Sequence, residues 1–321
     1  MKTKRTIARH ISLDTSDCYS QKTSDRHQYG DQIVVNARCY HATESYNDFP
    51  IEDVEKTITE RFDKIVRMYP DRLAIKIGDR SLTYTELNLA ANRIALAILA
   101  QRCKSSEPIA LLFEHGIDVV TAIFGVLKAG KFYVALDASF PSERILYVLQ
   151  DSGASLIVTN NVNLELARGV ANVGGLSLLN IDAIDDFSTT QGVCFVDSAN
   201  DPAILHYTSG TTGQPKGVVH TYRFVLHTAF AYINQCFTCY HDRFTLLHSV
   251  GFASASVHLF RSLLTGAALF PFDIKSQGVR RLSTWLEEEQ ITLCHLPPSA
   301  FRQLAESWSG HENLSHLRVM P

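Results

Sequence analysis

The segment Tyr207–Gly217, which reads YTSGTTGQPKG, holds the residues of this sequence best suited to chemistry. It combines three glycines, four serine or threonine hydroxyls, one proline and one lysine. Glycines let a backbone approach a ligand closely, successive backbone N–H groups can surround an anion, and hydroxyls add further donors. Each hydrogen bond to a charged oxygen contributes about 1.5–3 kcal/mol, so several together could hold a triphosphate. We therefore expect a phosphate-binding loop.

Two other interpretations of this loop explain its composition less well. An ordinary polar turn accounts for glycine and serine, but it does not require three glycines, four hydroxyls and a lysine together. A P-loop requires a glycine, four residues and then Gly-Lys-Ser/Thr, whereas Gly213 is followed by Gln214, Pro215 and Lys216. The spacing therefore argues against a P-loop.

The elements on both sides of the loop predict an α/β fold. A strand at 203–207 precedes the loop, and a helix through the 220s and 230s is predicted to follow it directly. Strands alternate with helices along most of the chain, which favours mostly parallel sheets with helices on both faces. The other predicted elements are a hairpin within 73–87, strands at 108–113, 132–136, 155–159, 244–248, 267–270 and 291–296, and helices at 86–101, 117–129, from 141, 256–265, 279–289 and 298–307.

Three further segments complete this prediction. Residues 1–50 contain few aliphatic side chains and no periodicity, so we expect a disordered leader there. Residues 51–69 place apolar side chains at steps of three and four, which indicates one helix ended by Pro70. Residues 160–200 mix polar residues with short apolar runs and are predicted to form a variable connection.

Composition excludes several classes of partner. The formal net charge of −3 and the absence of a lysine and arginine cluster argue against nucleic acid and anionic membranes. No apolar run approaches the ~20 residues that cross a bilayer, so we expect a cytoplasmic protein. Seven cysteines, an odd number, argue against a disulfide framework. Cys236 and Cys239 have CxxC spacing but no second ligand pair, so no metal site is predicted.

The loop resembles the phosphate-binding signature of the adenylate-forming superfamily, which includes acyl-CoA synthetases, luciferases and nonribosomal peptide synthetase adenylation domains. Two further stretches, LTYTEL at 82–87 and LKAGKFYVALDASFPSERI at 127–145, resemble the first two core motifs of the peptide-synthetase branch. Both stretches read as scaffold rather than chemistry. The resemblance covers residues 51–321 and implies the N-terminal subdomains of an adenylation domain.

The resemblance implies a reaction in two steps. A carboxylate attacks the α-phosphate of ATP with Mg²⁺ present, giving an acyl-adenylate and pyrophosphate, and a thiol then captures the acyl group. That thiol would belong to a carrier-protein phosphopantetheine or to coenzyme A. The residues matched to the phosphate-binding signature are Thr208, Ser209, Gly210, Thr211, Thr212, Gly213 and Lys216.

The resemblance also bears on the acid. Relatives of the peptide-synthetase branch carry a Phe-Asp-x-Ser motif whose aspartate pairs with the substrate ammonium. Aligning FASASVHLF by its flanking phenylalanines makes Phe252 and Ala253 candidate substrate-pocket residues and puts Ala253 at the aspartate position. An unpaired buried ammonium is costly, so we expect a fatty, hydroxy, keto or aryl acid. A shifted alignment, or an acidic group elsewhere, is the alternative.

The family's later motifs and its small C-terminal domain, which supplies a catalytic lysine, are not found in these residues. We therefore assign no catalytic residue, and we expect the 321-residue chain alone to be nearly inactive unless a separate polypeptide supplies the remainder. A non-catalytic nucleotide-binding or interaction module of the same family is the alternative function. An unrelated phosphotransferase is a remote third possibility, because the P-loop spacing is missing.

Overall fold

The computed structural model of this chain describes residues 49–102, 106–185, 198–208, 214–307 and 314–320. The predicted leader, residues 1–50, lies almost wholly outside this part, and so do residues 209–213 of the phosphate loop.

Helices and strands alternate along the described chain. The helices are α1 Ile58–Met68, α2 Tyr84–Gln101, α3 Ile117–Lys128, α4 Ser142–Ser152, α5 Leu164–Gly174, α6 Tyr222–Gln235, α7 Ala253–Leu263, α8 Ile274–Gln277, α9 Val279–Glu288 and α10 Pro298–Ser307. The strands are β1 Leu73–Ile77, β2 Arg80–Thr83, β3 Pro108–Phe113, β4 Phe132–Asp137, β5 Leu156–Thr159, β6 Ser177–Asn180, β7 Pro202–Thr208, β8 Lys216–Thr221, β9 Arg243–Leu246 and β10 Ala268–Pro271.

The strands form two sheets. The larger has the order β6-β5-β3-β4-β7-β8, and all of its neighbours are parallel except β7 and β8. The smaller has the order β2-β1-β10-β9 and is parallel except for the hairpin of β1 and β2. Parallel neighbours require crossover connections, and helices supply them here.

The helices cover both faces of each sheet. Apolar residues of α2, α3, α6 and α7 fill the core between the two sheets. Helices α4 and α5 pack on the outer face of the larger sheet, and α9 and α10 pack on the outer face of the smaller one. Helix α2 approaches α3 so closely that a Cβ atom at Gly125 would lie 2.6 Å from Ile94 Cγ2. The predicted α/β class with mostly parallel sheets is confirmed.

The segment after the phosphate loop differs from the prediction. A strand, β8, precedes α6 and pairs antiparallel with β7 from Pro202 opposite Thr221 to Thr208 opposite Lys216. Two adjacent valines in β8 favour extended backbone because they are branched at Cβ. Helix α6 begins only after Thr221, whose hydroxyl accepts a hydrogen bond from the Phe224 amide. The expectation of a helix directly after the loop is therefore wrong.

The single helix predicted over 51–69 is also divided. A 3₁₀ turn at Ile51–Glu55 comes first, and α1 begins after Thr57. The side chains of Thr57 and Glu60 each bond the other residue's backbone N–H group, which forms a capping box. This reciprocal cap starts a new helix although the apolar spacing continues across it.

Two other segments correct the sequence-based prediction. The predicted variable connection 160–200 contains α5 and β6, and β6 adds an edge strand to the larger sheet. The predicted strand at 291–296 is reduced to bridges of Leu293 with Phe244 on one side and Val319 on the other. In the described part of the chain, no helix has the length and apolar character needed to cross a membrane.

Candidate functional site

The phosphate loop is held between two antiparallel strands. Thr208 ends β7 and pairs with Lys216, which starts β8. The Thr208 hydroxyl donates to the Lys216 carbonyl oxygen at 3.5 Å. The rest of the predicted phosphate-binding set lies outside the described residues: Ser209, Gly210, Thr211, Thr212 and Gly213. The hairpin therefore brings together the two described ends of the loop.

Lys216 supplies a positive charge at the described end of this loop. Because β8 follows the loop, no helix dipole points at it from the next element. Lys216 is exposed and forms no ion pair with another described residue. An exposed, uncommitted cation beside a glycine- and hydroxyl-rich loop fits a phosphate chain.

Helix α4 fixes both sides of the hairpin. The Tyr207 hydroxyl donates to Asp151 Oδ2 at 2.7 Å, and the Tyr147 hydroxyl donates to the Pro215 carbonyl oxygen at 3.1 Å. Burial and the Asp151 carboxylate raise the pKa of Tyr207 above its usual range, so this hydroxyl keeps its proton. Two tyrosines thus tie the strand before the loop and the residue after it to one helix.

A pocket of about 180 Å³ opens beside β7, between α6 and α7. Ala253, the first residue of α7, lies in its wall, whereas Phe252 does not line it and is 47% exposed. The structure therefore brings only one of the two predicted pocket residues to this cavity. Most of the wall is apolar, with side chains from Ile204, Phe224, Val225, Ala229, Ala253, Val257 and Phe260.

Two histidines supply the ionisable groups of this pocket. The rings of His206 and His220 meet edge to face, with centroids 5.1 Å apart. Burial, together with the neighbouring His220, lowers the pKa of His206 to about 4, and burial also lowers the pKa of His220. Both histidines are therefore neutral at pH 7. Among the described residues, no carboxylate lines the pocket, so an ammonium group would find no counter-charge there.

Comparison with known proteins identifies the family. The AMP-binding enzyme family matches residues 62–320. This chain belongs to that family. Tyrocidine synthase 1 of Brevibacillus parabrevis is 31% identical over 266 residues, which span 83% of this chain and 24% of tyrocidine synthase 1. The chain therefore spans about a quarter of the length of this curated relative.

Solved structures agree with the family at the level of fold. The nonribosomal peptide synthetase FmoA3 superposes with a TM-score of 0.76 and 24% identity, over 85% of this chain and 29% of FmoA3. The N-terminal subdomain of Klebsiella oxytoca NpsA, in complex with anthranilyl-AMSN, has a TM-score of 0.68 and 25% identity, over 78% of this chain and 64% of that one. The resemblance to peptide-synthetase adenylation domains is thus confirmed.

This member of the AMP-binding enzyme family also holds a histidine cluster that its sequence did not reveal. His248 follows β9, His258 lies in α7, and His295 lies between α9 and α10. His248 Nε2 is 3.3 Å from His295 Nδ1, and the rings of His258 and His295 have centroids 4.4 Å apart. The three residues come from separate elements, so no local spacing signals them. Within the described ranges, no group of His, Cys, Asp or Glu side chains is arranged to hold a metal ion.

Buried histidines predict a loss of stability in mild acid. Burial lowers the pKa of His206 and His248 to about 4 and that of His258 well below its usual value. These rings stay neutral in the folded protein at pH values where the unfolded chain protonates them, near 6.5. Their contribution to stability is complete above that pH and is lost as the pH falls towards 4.

We expect the Tm to fall by roughly 5–10 °C between pH 7.5 and pH 5, measured by thermal unfolding in matched buffers. His248→Gln should flatten this dependence because it removes one titrating ring. His227→Gln, at an exposed position of α6, should leave it unchanged. A Tm that rises or stays constant down to pH 5 would contradict the assignment.

Proposed function

We propose that this protein takes part in the ATP-dependent activation of a carboxylic acid as an acyl-adenylate, for transfer to a thiol. One observation carries the proposal: β7 leads into the phosphate loop after Thr208, and His206, two residues earlier, lines the pocket. Residues two apart on a strand are separated by about 6.6 Å. That spacing suits a reaction in which an acyl carboxylate meets a neighbouring phosphate.

In the proposed reaction, the phosphate loop binds the ATP phosphates and the pocket binds the acid. ATP supplies the adenylyl group, which the acid carboxylate takes up at the α-phosphate as pyrophosphate leaves. Residues 208–213 offer backbone N–H groups and hydroxyls to the β- and γ-phosphates, and Lys216 adds a mobile positive charge. The reaction also needs Mg²⁺, but we assign no residue to it, since the described chain assembles no cluster of metal-binding side chains.

The pocket favours an uncharged acyl group. Ala253, which the alignment of FASASVHLF matches to the motif's aspartate, lies in its wall, and no described carboxylate lines the pocket. A pocket of about 180 Å³ is close in size to the ~150 Å³ engineered cavity that binds benzene. One aromatic ring or a short branched chain therefore suits this space. The anthranilyl ligand of the Klebsiella NpsA subdomain is an aryl acyl group of this size.

The thiol acceptor is proposed from the relatives. FmoA3 is a nonribosomal peptide synthetase by name, which supports a carrier-protein phosphopantetheine over coenzyme A. The alternative function is a non-catalytic nucleotide-binding or interaction module of the same family. Release of pyrophosphate from ATP on addition of the acid separates the two functions.

The phosphate loop yields a direct test by calorimetric titration with MgATP. The double variant Thr211→Ala/Thr212→Ala should bind MgATP about tenfold or more weakly, because two donors to charged oxygens are lost. Thr284→Ala, at an exposed position of α9, is the matched control and should bind like the wild type. Equal affinity of the double variant and the wild type would refute the assignment of this loop.

The absent aspartate gives a second prediction. The wild type should bind 3-phenylpropanoyl adenosine sulfamate about ten- to a hundredfold more tightly than the phenylalanyl analogue, which differs only by an ammonium group. Ala253→Asp should narrow this preference by about tenfold, whereas the uncharged Ala253→Asn should not. Competition binding with a fluorescent adenylate analogue measures both ratios. Tighter binding of the phenylalanyl analogue by the wild type would contradict an uncharged acid.

A further inference from the structure

The floor of the apolar pocket contains a buried polar cluster on β7 and α7. His206 is only 4% exposed, and its Nε2 lies 3.4 Å from the Ser256 hydroxyl oxygen. Both residues line the pocket. Tyr133, on the neighbouring strand β4, is fully buried, and burial raises the pKa of its hydroxyl above its usual range. Burying polar side chains at the end of an apolar cavity costs free energy unless they form hydrogen bonds.

Hydrogen bonding fixes the protonation of His206. The single proton of the Ser256 hydroxyl is donated to the Ala253 carbonyl oxygen at 2.8 Å, so the Ser256 oxygen can only accept from the imidazole. His206 Nε2 therefore carries the ring proton, and Nδ1 is the acceptor. Nδ1 is buried and has no hydrogen-bond partner among the described residues.

No hydroxyl of the pocket wall, from Ser254, Ser256 or Thr228, is hydrogen-bonded to His206 Nδ1 in the described structure. The Thr228 hydroxyl donates to the Phe224 carbonyl oxygen at 2.8 Å, as the Ser256 hydroxyl does to its own helix. Ser256 contacts the His206 ring at Nε2, and the His220 ring packs against it edge to face, so neither contact satisfies Nδ1. A buried acceptor without a donor is typical of a site whose ligand supplies the donor.

The charge state of the pocket narrows the class of donor. Burial and His220 keep His206 neutral, and no described carboxylate lines the cavity. A charged ammonium would therefore be desolvated without a counter-charge, whereas a hydroxyl or an arylamine donates without that cost. Both uncharged groups fit on a single ring in a cavity of about 180 Å³.

We propose that His206 is a specificity-determining residue, whose Nδ1 accepts a hydrogen bond from an uncharged donor, a ring hydroxyl or arylamine, on the acyl group. This inference rests on the proposed function, because it assumes that the pocket holds the acid. It predicts that the protein binds an acid with the donor more tightly than the otherwise identical acid without it. The acid without the donor leaves the buried Nδ1 of His206 unpaired, which weakens its binding.

The test compares the affinities of matched acyl adenosine sulfamates for the full 321-residue chain. The ligands are benzoyl, the three monohydroxybenzoyl isomers and the three monoaminobenzoyl isomers. We expect at least one hydroxyl or amino isomer to bind about tenfold more tightly than benzoyl. The two series distinguish a hydroxyl donor from an arylamine donor.

Three variants separate recognition from folding. His206→Leu should abolish the preference while keeping the affinity for benzoyl within about threefold, and His206→Gln, which retains an acceptor, should restore part of it. His227→Leu, at an exposed position of α6, should retain the full preference. Thermal unfolding confirms that each variant is folded. In long-range ¹H–¹⁵N spectra, the His206 Nδ1 signal should shift with the preferred isomer and not with benzoyl.

The outcomes distinguish the two proposals. If benzoyl and all its derivatives fail to bind, the proposed acyl-adenylate site is wrong and this inference falls with it. If benzoyl binds but no substituted isomer binds more tightly, only the role of His206 is overturned. The same conclusion follows if a preference exists and survives unchanged in His206→Leu.

Discussion

The antiparallel pairing of β7 with β8 is the constraint on which the candidate site depends. Thr208 opposite Lys216 closes the loop, and the β7 residues from Ile204 to Tyr207 are placed by the same ladder. Side chains alternate along the strand, so Ile204 and His206 face the pocket while Leu205 faces the α4 side of the sheet. One strand thus fixes the start of the phosphate loop and the polar residue of the pocket together.

Helix α4 and the parallel strands hold β7 in place. Tyr133 of β4 lies beside Ile204 in the parallel ladder, and Tyr207 reaches Asp151 of α4. Because β7 lies between β4 and β8, it has hydrogen-bonded neighbours on both sides. The end of a central strand in a parallel sheet is where α/β proteins place their ligands. The two described ends of the loop, Thr208 and Lys216, lie at such a strand end.

Sequence reasoning predicted the fold better than the site. The alternation of strands and helices predicted the α/β class, because each buried strand is a short apolar run in the sequence. The confirmed resemblance to peptide-synthetase adenylation domains rested on local motifs. The strand β8 was missed because its six residues are too few for apolar periodicity to separate a strand from the start of a helix. The cap at Thr57 was missed because apolar periodicity continues across it.

The pocket shows why the remaining site residues escaped prediction. Ala253 could be placed by alignment with a family motif, whereas His206 and Ser256 meet only in three dimensions, from β7 and α7. The same holds for His248 and His295, which come from separate segments. Spacing in the sequence shows which side chains share a face of one helix or strand. Contacts between residues of different elements become visible only when the packed structure is known.

The central claim is that the loop and the pocket form one site in which a triphosphate and an uncharged acyl group meet. The most direct measurement is a calorimetric titration of benzoyl adenosine sulfamate into the protein at increasing MgATP. The account predicts competition, with the apparent affinity of the analogue falling in proportion to the MgATP concentration above its Kd. An analogue affinity that is unchanged at saturating MgATP would contradict it, because the two ligands would then occupy separate sites.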